Sequence, residues 1–340
     1  DESVPVLLQN NSIVTPFEAV TGMYSLPGRH DIDPTAILAP FYFLFFGLML
    51  SDAAYGLILT TLCAIILKKY KPEGTTYRMI KMFMFCGLST FMWGALFGGW
   101  FGNFFTVAAK TFFGKEFVIK PLWFDPLSEP MRLLVVSLIL GAVHLFVGMG
   151  VQAYMDIKDG RPLDALFDIG LWYLLLIGIV LFAFGGKLGA GAVGIGKIMA
   201  IVGAVGILLT GGRKKKGIFG KLTGGLGSLY GITSYLSDVL SYSRLLALGL
   251  ATGVVAQVFN TLGSLAGGGI AGSILLIVVF AFGTVFNIAI NALGAFVHSC
   301  RLQYVEFFGK FYTGGGRPFA PFERKTKYIK ILKEGNDNVK

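Results

Sequence analysis

The sequence predicts an all-α membrane protein with about eight transmembrane helices, and three observations carry that prediction. Of 340 residues, 54% are hydrophobic and only 14% charged, with a mean hydropathy of +0.70, far too apolar to clothe a soluble domain in a wet surface. Apolar runs recur at a length suited to crossing about 30 Å of hydrocarbon, which takes roughly 20 residues. Basic residues collect in the short loops between those runs, as positive-inside topology requires. The 31 Phe and 47 Gly suit bilayer helices, where bulky rings face lipid and small residues let backbones approach.

In order, the runs extend approximately from Ile37 to Leu50, Asp52 to Leu67, Tyr77 to Phe101, Met131 to Tyr154, Leu166 to Phe184, Val193 to Thr210, Ile232 to Leu262, and Ile270 to Phe311. The first two are short, as in a hairpin of small helices, and the last two are long. An even number of spans puts both ends on one side. Lys68, Lys69, Lys71 and Arg78 follow the second span and Arg213, Lys214, Lys215 and Lys216 the sixth, which makes that side cytoplasmic. Arg317, Arg324, Lys325, Lys327, Lys330 and Lys333 repeat the signal in the tail, whereas Thr261 to Gly269 carries no charge. The loop from Gly102 to Pro130 mixes both signs and is placed outside.

Residues 1–34 are polar, broken by Pro5, Pro16, Pro27 and Pro34, and read as a connector from a missing N-terminal cytoplasmic domain. Residues 35–311 form the membrane domain and residues 312–340 a basic cytoplasmic tail. The chain opens on Asp1 without a signal peptide, so a preceding segment is expected. The net charge of +10 does not indicate nucleic acid, because the cations lie in loops rather than along an amphipathic face.

Cys63, Cys86 and Cys300 lie in or beside apolar segments without metal-ligand spacing, and are expected to be packing residues. Gly189, Gly191 and Gly194 match GxGxxG, but no strand precedes them and no acid follows at the required distance. Gly220, Gly224, Gly227 and Gly231 mark close helix contact rather than a phosphate cradle. No catalytic residue, cofactor or metal site is expected.

The seventh run is different, because it places Arg244 deep in an otherwise apolar helix, roughly 20 Å from its start. A snorkelling arginine lies within a turn or two of an end, and a charge at that depth costs at least ~2.5 kcal/mol. In the eighth run Asn287, Asn291, Gly294, His298 and Arg301 recur at helical spacing along one stripe. Such a stripe faces protein or water. Each member also has a plainer reading: Arg301 as a positive residue near the cytoplasmic end, His298 as a helix-contact residue, Asn287 and Asn291 as hydrogen-bonded bridges. Arg244 has no acid at three or four residues' distance, Asp238 lies on another face, and the eighth run offers no carboxylate before Glu306. A buried guanidinium cannot shed its proton. The inference is a counter-ion supplied by another, moving chain.

Three stretches, Asp33 to Gly56, Tyr235 to Leu250 and His298 to Phe319, resemble the a/I subunit of the V/A-type rotary ATPases, and the resemblance extends along nearly the whole chain. It implies that the seventh and eighth helices are strongly tilted around a rotor ring. The arginine of Ser243-Arg244-Leu245 would face the ring carboxylates, and the second family arginine falls on Arg301. It further implies a stator that forms cation half-channels against the c/K ring, peripheral-stalk contacts through the missing domain, ATP hydrolysis by other subunits, and residence in a bacterial plasma membrane. Where eukaryotic relatives carry a Glu and a His, this chain has Asn291 and Thr252, so relay roles are not carried over. Ser51 replaces the Gly before Asp52, leaving the role of Asp52 open.

Arg244 and Arg301 are thus the expected ion-translocation residues, with Asp238, Ser241, Asn287, Asn291, His298 and Glu306 as candidates for lining the half-channels. The transported cation is H⁺ or Na⁺. A self-contained cation transporter or channel, and a non-transporting membrane anchor, are the competing readings.

Overall fold

The computed structural model describes residues 5–28, 31–114, 117–187, 190–213, 218–265 and 269–319. Helices dominate: α1 (Glu18–Tyr24), α2 (Thr35–Leu50), α3 (Ala53–Tyr70), α4 (Gly74–Phe97), α5 (Phe104–Phe113), α6 (Pro130–Lys158), α7 (Pro162–Phe184), α8 (Ala190–Thr210), α9 (Ile218–Tyr230), α10 (Ile232–Ser241), α11 (Ser243–Ser264) and α12 (Ile270–Arg301). A π-helical turn, Leu302–Phe307, then leads into α13 (Phe308–Phe311). Every predicted span falls on a helix. Seven of the described helical stretches are long and apolar enough to cross a membrane, and α2 is a shorter apolar helix.

The brevity of α2 follows from its place. At ~1.5 Å per residue its 16 residues reach only about 24 Å, but it packs against α4, α11 and α12 and buries Leu38, Tyr42, Phe45, Phe46, Leu48 and Leu50 completely. A helix shielded by protein on most sides need not match the lipid. The outer helices show the opposite pattern, with Ile139, Val180, Ile198 and Phe282 all more than half exposed. These apolar faces need lipid.

Between α2 and α3 the chain turns through Ser51, whose φ of 31° is left-handed. Asp52 caps α3 and accepts from the amides of Ala54, Tyr55, Phe101 and Gly102 at 3.0–3.2 Å. That carboxylate is an architectural clip joining the α2–α3 turn to the end of α4. Close helix approach is steric: a Cβ on Gly94 would stand 2.0 Å from the Ala53 amide.

The seventh and eighth spans are helical stretches of 42 residues each, Thr223–Ser264 and Ile270–Phe311, or about 63 Å at the α-helical rise. That is twice the hydrocarbon thickness, so neither fits upright within it along its whole length.

The stretch read as a connector is docked: Phe17 and Val20 pack on the core, Glu18 pairs with Arg78 at 3.1 Å, and the Tyr304 hydroxyl donates to the Val20 carbonyl at 2.6 Å. The start of the presumed tail is docked as well. Arg317–Pro318 pairs in parallel with Pro5–Val6, the Gly316 amide donates to the Leu26 carbonyl at 3.0 Å, and Thr313 and Gly314 both donate to the Asp31 carboxylate at 2.7 Å. Prolines spaced along a polar stretch break helices without preventing docking. The basic residues from Arg324 onward, and Lys214 to Lys216, lie outside the described residues. The Gly102–Pro130 loop holds the amphipathic α5, which packs against α11 and stacks Phe104 on Phe280 of α12 at 3.7 Å.

Candidate functional site

Arg244 is the second residue of α11 and sits near the middle of the Thr223–Ser264 stretch, about 30 Å from either end. The helix is interrupted just before it. At Tyr242 the bonding tightens to three-residue steps, Tyr242 to Val239 at 3.1 Å and Leu245 to Tyr242 at 3.0 Å, which re-aims the turn carrying the arginine.

The expected isolation of Arg244 does not hold. Its Nη1 donates to Glu306 Oε1 at 3.2 Å, the arginine side chain being 25% exposed and the glutamate 1%. Glu306 belongs to the π-helical turn. A π turn admits an extra residue and rotates every following side chain, so face counting at 3.6 residues per turn cannot place Glu306 opposite Arg244. The counter-ion sought on another chain is present within this one. Among the described residues, the buried Glu306 Oε2 and His298 Nδ1 have no hydrogen-bond partner.

The remaining candidates separate. Asp238 forms an ion pair with Lys310 of α13, whose ammonium also lies over the Tyr235 ring at 4.3 Å. The Ser241 hydroxyl donates back to Ser237 O at 3.1 Å within its own helix. Asn287 donates to the Tyr55 hydroxyl at 2.9 Å and to Thr252 O at 3.1 Å, and Asn291 donates to Asn287. Both asparagines are buried; Asn287 bridges α12 to α3 and α11, and Asn291 supports it from within α12. The predicted stripe therefore grades from buried amides, through half-buried His298, to exposed Arg301.

Sequence reasoning missed the network beside the pair. His144 of α6 is fully buried, with Nδ1 at 2.8 Å from the Tyr242 hydroxyl and Nε2 at 3.2 Å from Gln303 Oε1, and its ring stacks on Phe307 at 4.3 Å. A neutral imidazole satisfies both bonds, accepting from the phenol and donating to the amide oxygen. Thus one ring ties the break in the seventh span to the π turn in the eighth. A histidine at the centre of an apolar run was the available signal.

Two cavities flank the pair and share no lining residue. One, of about 470 Å³, is lined by Gln152, Asp156, Asp164, Asp168, Tyr235 and Lys310, with Asp164 and Asp168 bonded to Arg213. The other, of about 270 Å³, is lined by Ser51, Asp52, Asn103, Gly249, Gly253 and Gln257. On the seventh span the first reaches Tyr235, before Arg244, and the second Gly249, beyond it. Among the described residues no group of three or more His, Cys, Asp or Glu side chains could hold a metal ion, and the three cysteines are free and buried.

Fold and site together define a multi-pass, all-α membrane protein with an arginine held midway along a long helix between two separate cavities. Residues 232–324 match the family model of the V-type ATPase 116 kDa subunit family. The A-type ATP synthase subunit I of Methanocaldococcus jannaschii is 36% identical over 359 residues, covering 96% of this chain and 50% of that protein. That of Thermococcus kodakarensis is 38% identical over 338 residues, covering 97% and 49%, and the V-type ATP synthase subunit I of Chlamydia trachomatis is 24% identical over 382 residues, covering 95% and 56%. The chain spans about half the length of these relatives. Over that span its sequence is similar to these ATP synthase subunit I proteins.

Proposed function

We propose that this chain is the membrane portion of the stator subunit of a V/A-type rotary ATPase. On this reading it forms two cation half-channels against a rotating c/K ring, and ATP is hydrolysed by other subunits. The observation that carries it is the position of Arg244, partly open and midway along the seventh span, with one cavity before it on that helix and a second, differently lined one beyond. Ions enter through one, ride the ring as the counter-ion of its carboxylates, and leave through the other. At an effective dielectric near 20, two unit charges about 4 Å apart attract by roughly 4 kcal/mol, on the order of three pKa units, which is enough to expel the ion from a ring carboxylate passing Arg244. Arg301, exposed near the same end of the eighth span, adds to that field. Peripheral stalks engage through a preceding domain, and the basic loops support both ends lying on the cytoplasmic side; a bacterial plasma membrane is the proposed residence.

This reading no longer leans on the absence of an internal counter-ion. It rests on the similarity to ATP synthase subunit I proteins and on the four guanidinium N–H groups that the contact with Glu306 leaves over. The test is ATP-driven uptake of H⁺ or Na⁺ into vesicles by the assembled complex carrying Arg244→Ala together with Glu306→Gln, so that no buried acid is stranded. Loss of uptake with assembly retained supports the assignment, and normal uptake sinks it.

Glu306 also lends an observation to a second reading, a self-contained transporter, since such a protein brings its own membrane carboxylate. Ion movement by this chain alone in liposomes would favour it.

A further inference from the structure

We propose that Glu306 is the resting counter-ion of Arg244, and that it competes with a carboxylate on a neighbouring chain for the same guanidinium. The inference rests on the stator reading and adds a residue to it.

The pair is lopsided. Glu306 is almost wholly enclosed while Arg244 remains a quarter exposed, so the acid is fixed and the base is open on one side. Only one nitrogen and one oxygen meet, at 3.2 Å, whereas a finished structural bridge between these groups closes as a two-pronged fork. Among the described residues, Glu306 Oε2 is left buried without a partner, an acceptor that a static bridge would be expected to satisfy. Its location in a π-helical turn sets it apart from the regular ladder, and such turns collect at working sites.

Two consequences follow. When no external carboxylate is in reach, Glu306 balances the charge of Arg244 and makes its depth tolerable. When one arrives, the guanidinium is shared between two acids, so the incoming carboxylate is attracted but not trapped. Without Glu306, the arginine would hold each passing carboxylate longer. Glu306 therefore acts through Arg244 as a positioning residue and governs the rate of partner release.

The experiment uses the assembled ATPase in vesicles, measuring ATP turnover per assembled complex and ions moved per ATP. Glu306→Gln is expected to slow turnover several-fold while leaving ions per ATP unchanged, and Glu306→Asp, which keeps the charge on a shorter arm, to fall between it and the native protein. Unchanged turnover per complex in both variants overturns the proposal, as does a deficit confined to the amount of complex assembled. Should Glu306→Gln fail to assemble, Glu306→Asp decides alone: slowed turnover sustains the proposal and native turnover ends it. Dead Arg244 variants beside unaffected Glu306 variants would leave the stator reading intact and remove only this inference, whereas normal uptake without Arg244 would remove both.

Discussion

Tyr242 and Gln303, from different long helices, bind opposite nitrogens of the same imidazole, that of His144. Arg244 lies two residues beyond the first and Glu306 three beyond the second, so the register of the ion pair is set by a side chain that touches neither member. Replacing His144 with Ala would leave two buried polar partners unsatisfied, each worth about 1–3 kcal/mol, and open a cavity besides. We expect a clear drop in the thermal midpoint of the purified protein and a smaller drop for His144→Gln, which keeps a donor and an acceptor. Equal midpoints for the two variants would contradict this role.

Asp52 gives a sharper case, because four backbone amides converge on it. Asp52→Ala should lower thermal stability more than Asp52→Asn, which keeps one side-chain oxygen to accept from the converging amides, and thermal melts of the two variants check the order.

At Ser51 the backbone is left-handed, a conformation that costs a side-chain-bearing residue about 1–2 kcal/mol. Ser51→Gly should be neutral or stabilising by up to about 1 kcal/mol, less whatever its weak 3.4 Å bond to the Gly249 carbonyl contributes. Ser51→Val should destabilise. Thermal melts of the two variants in detergent decide the matter.

Arg244→Lys retains the charge but loses the planar fork. Coupled ion uptake is expected to fall while the complex still assembles, and undiminished pumping would mean that charge alone suffices at this position.

Removing Arg244 alone strands Glu306 as an uncompensated buried acid, at a cost of about 3–5 kcal/mol. We therefore expect Arg244→Ala to assemble poorly and a second change, Glu306→Gln, to restore assembly without restoring transport. Yields of intact complex from the two preparations check this, and equal yields would contradict it.

Hydropathy made the spans legible because burial in lipid is written residue by residue. Ile37 to Leu50 and Val193 to Thr210 announce themselves without any tertiary information. The long-range pairings were not legible. Arg244 and Glu306 are 62 residues apart, Asp238 and Lys310 72, and each meeting depends on a break or a π turn that periodicity assumes away. His144 could have been found as a lone imidazole in an apolar run, and α5 from Phe104, Val107, Ala108 and Phe112 at helical spacing. The docking of Pro5–Val6 on Arg317–Pro318 carried no local signal, since backbone pairing is nearly indifferent to side-chain identity.

That small strand pair has a mechanical consequence. Tension entering the chain at Pro5 does not have to travel through every helix to reach the last one. It passes across the pairing to Arg317 and from there directly into the foot of the eighth span, a few residues from Glu306. The two extremities of the described chain form a tie rod that braces the foot of the eighth span.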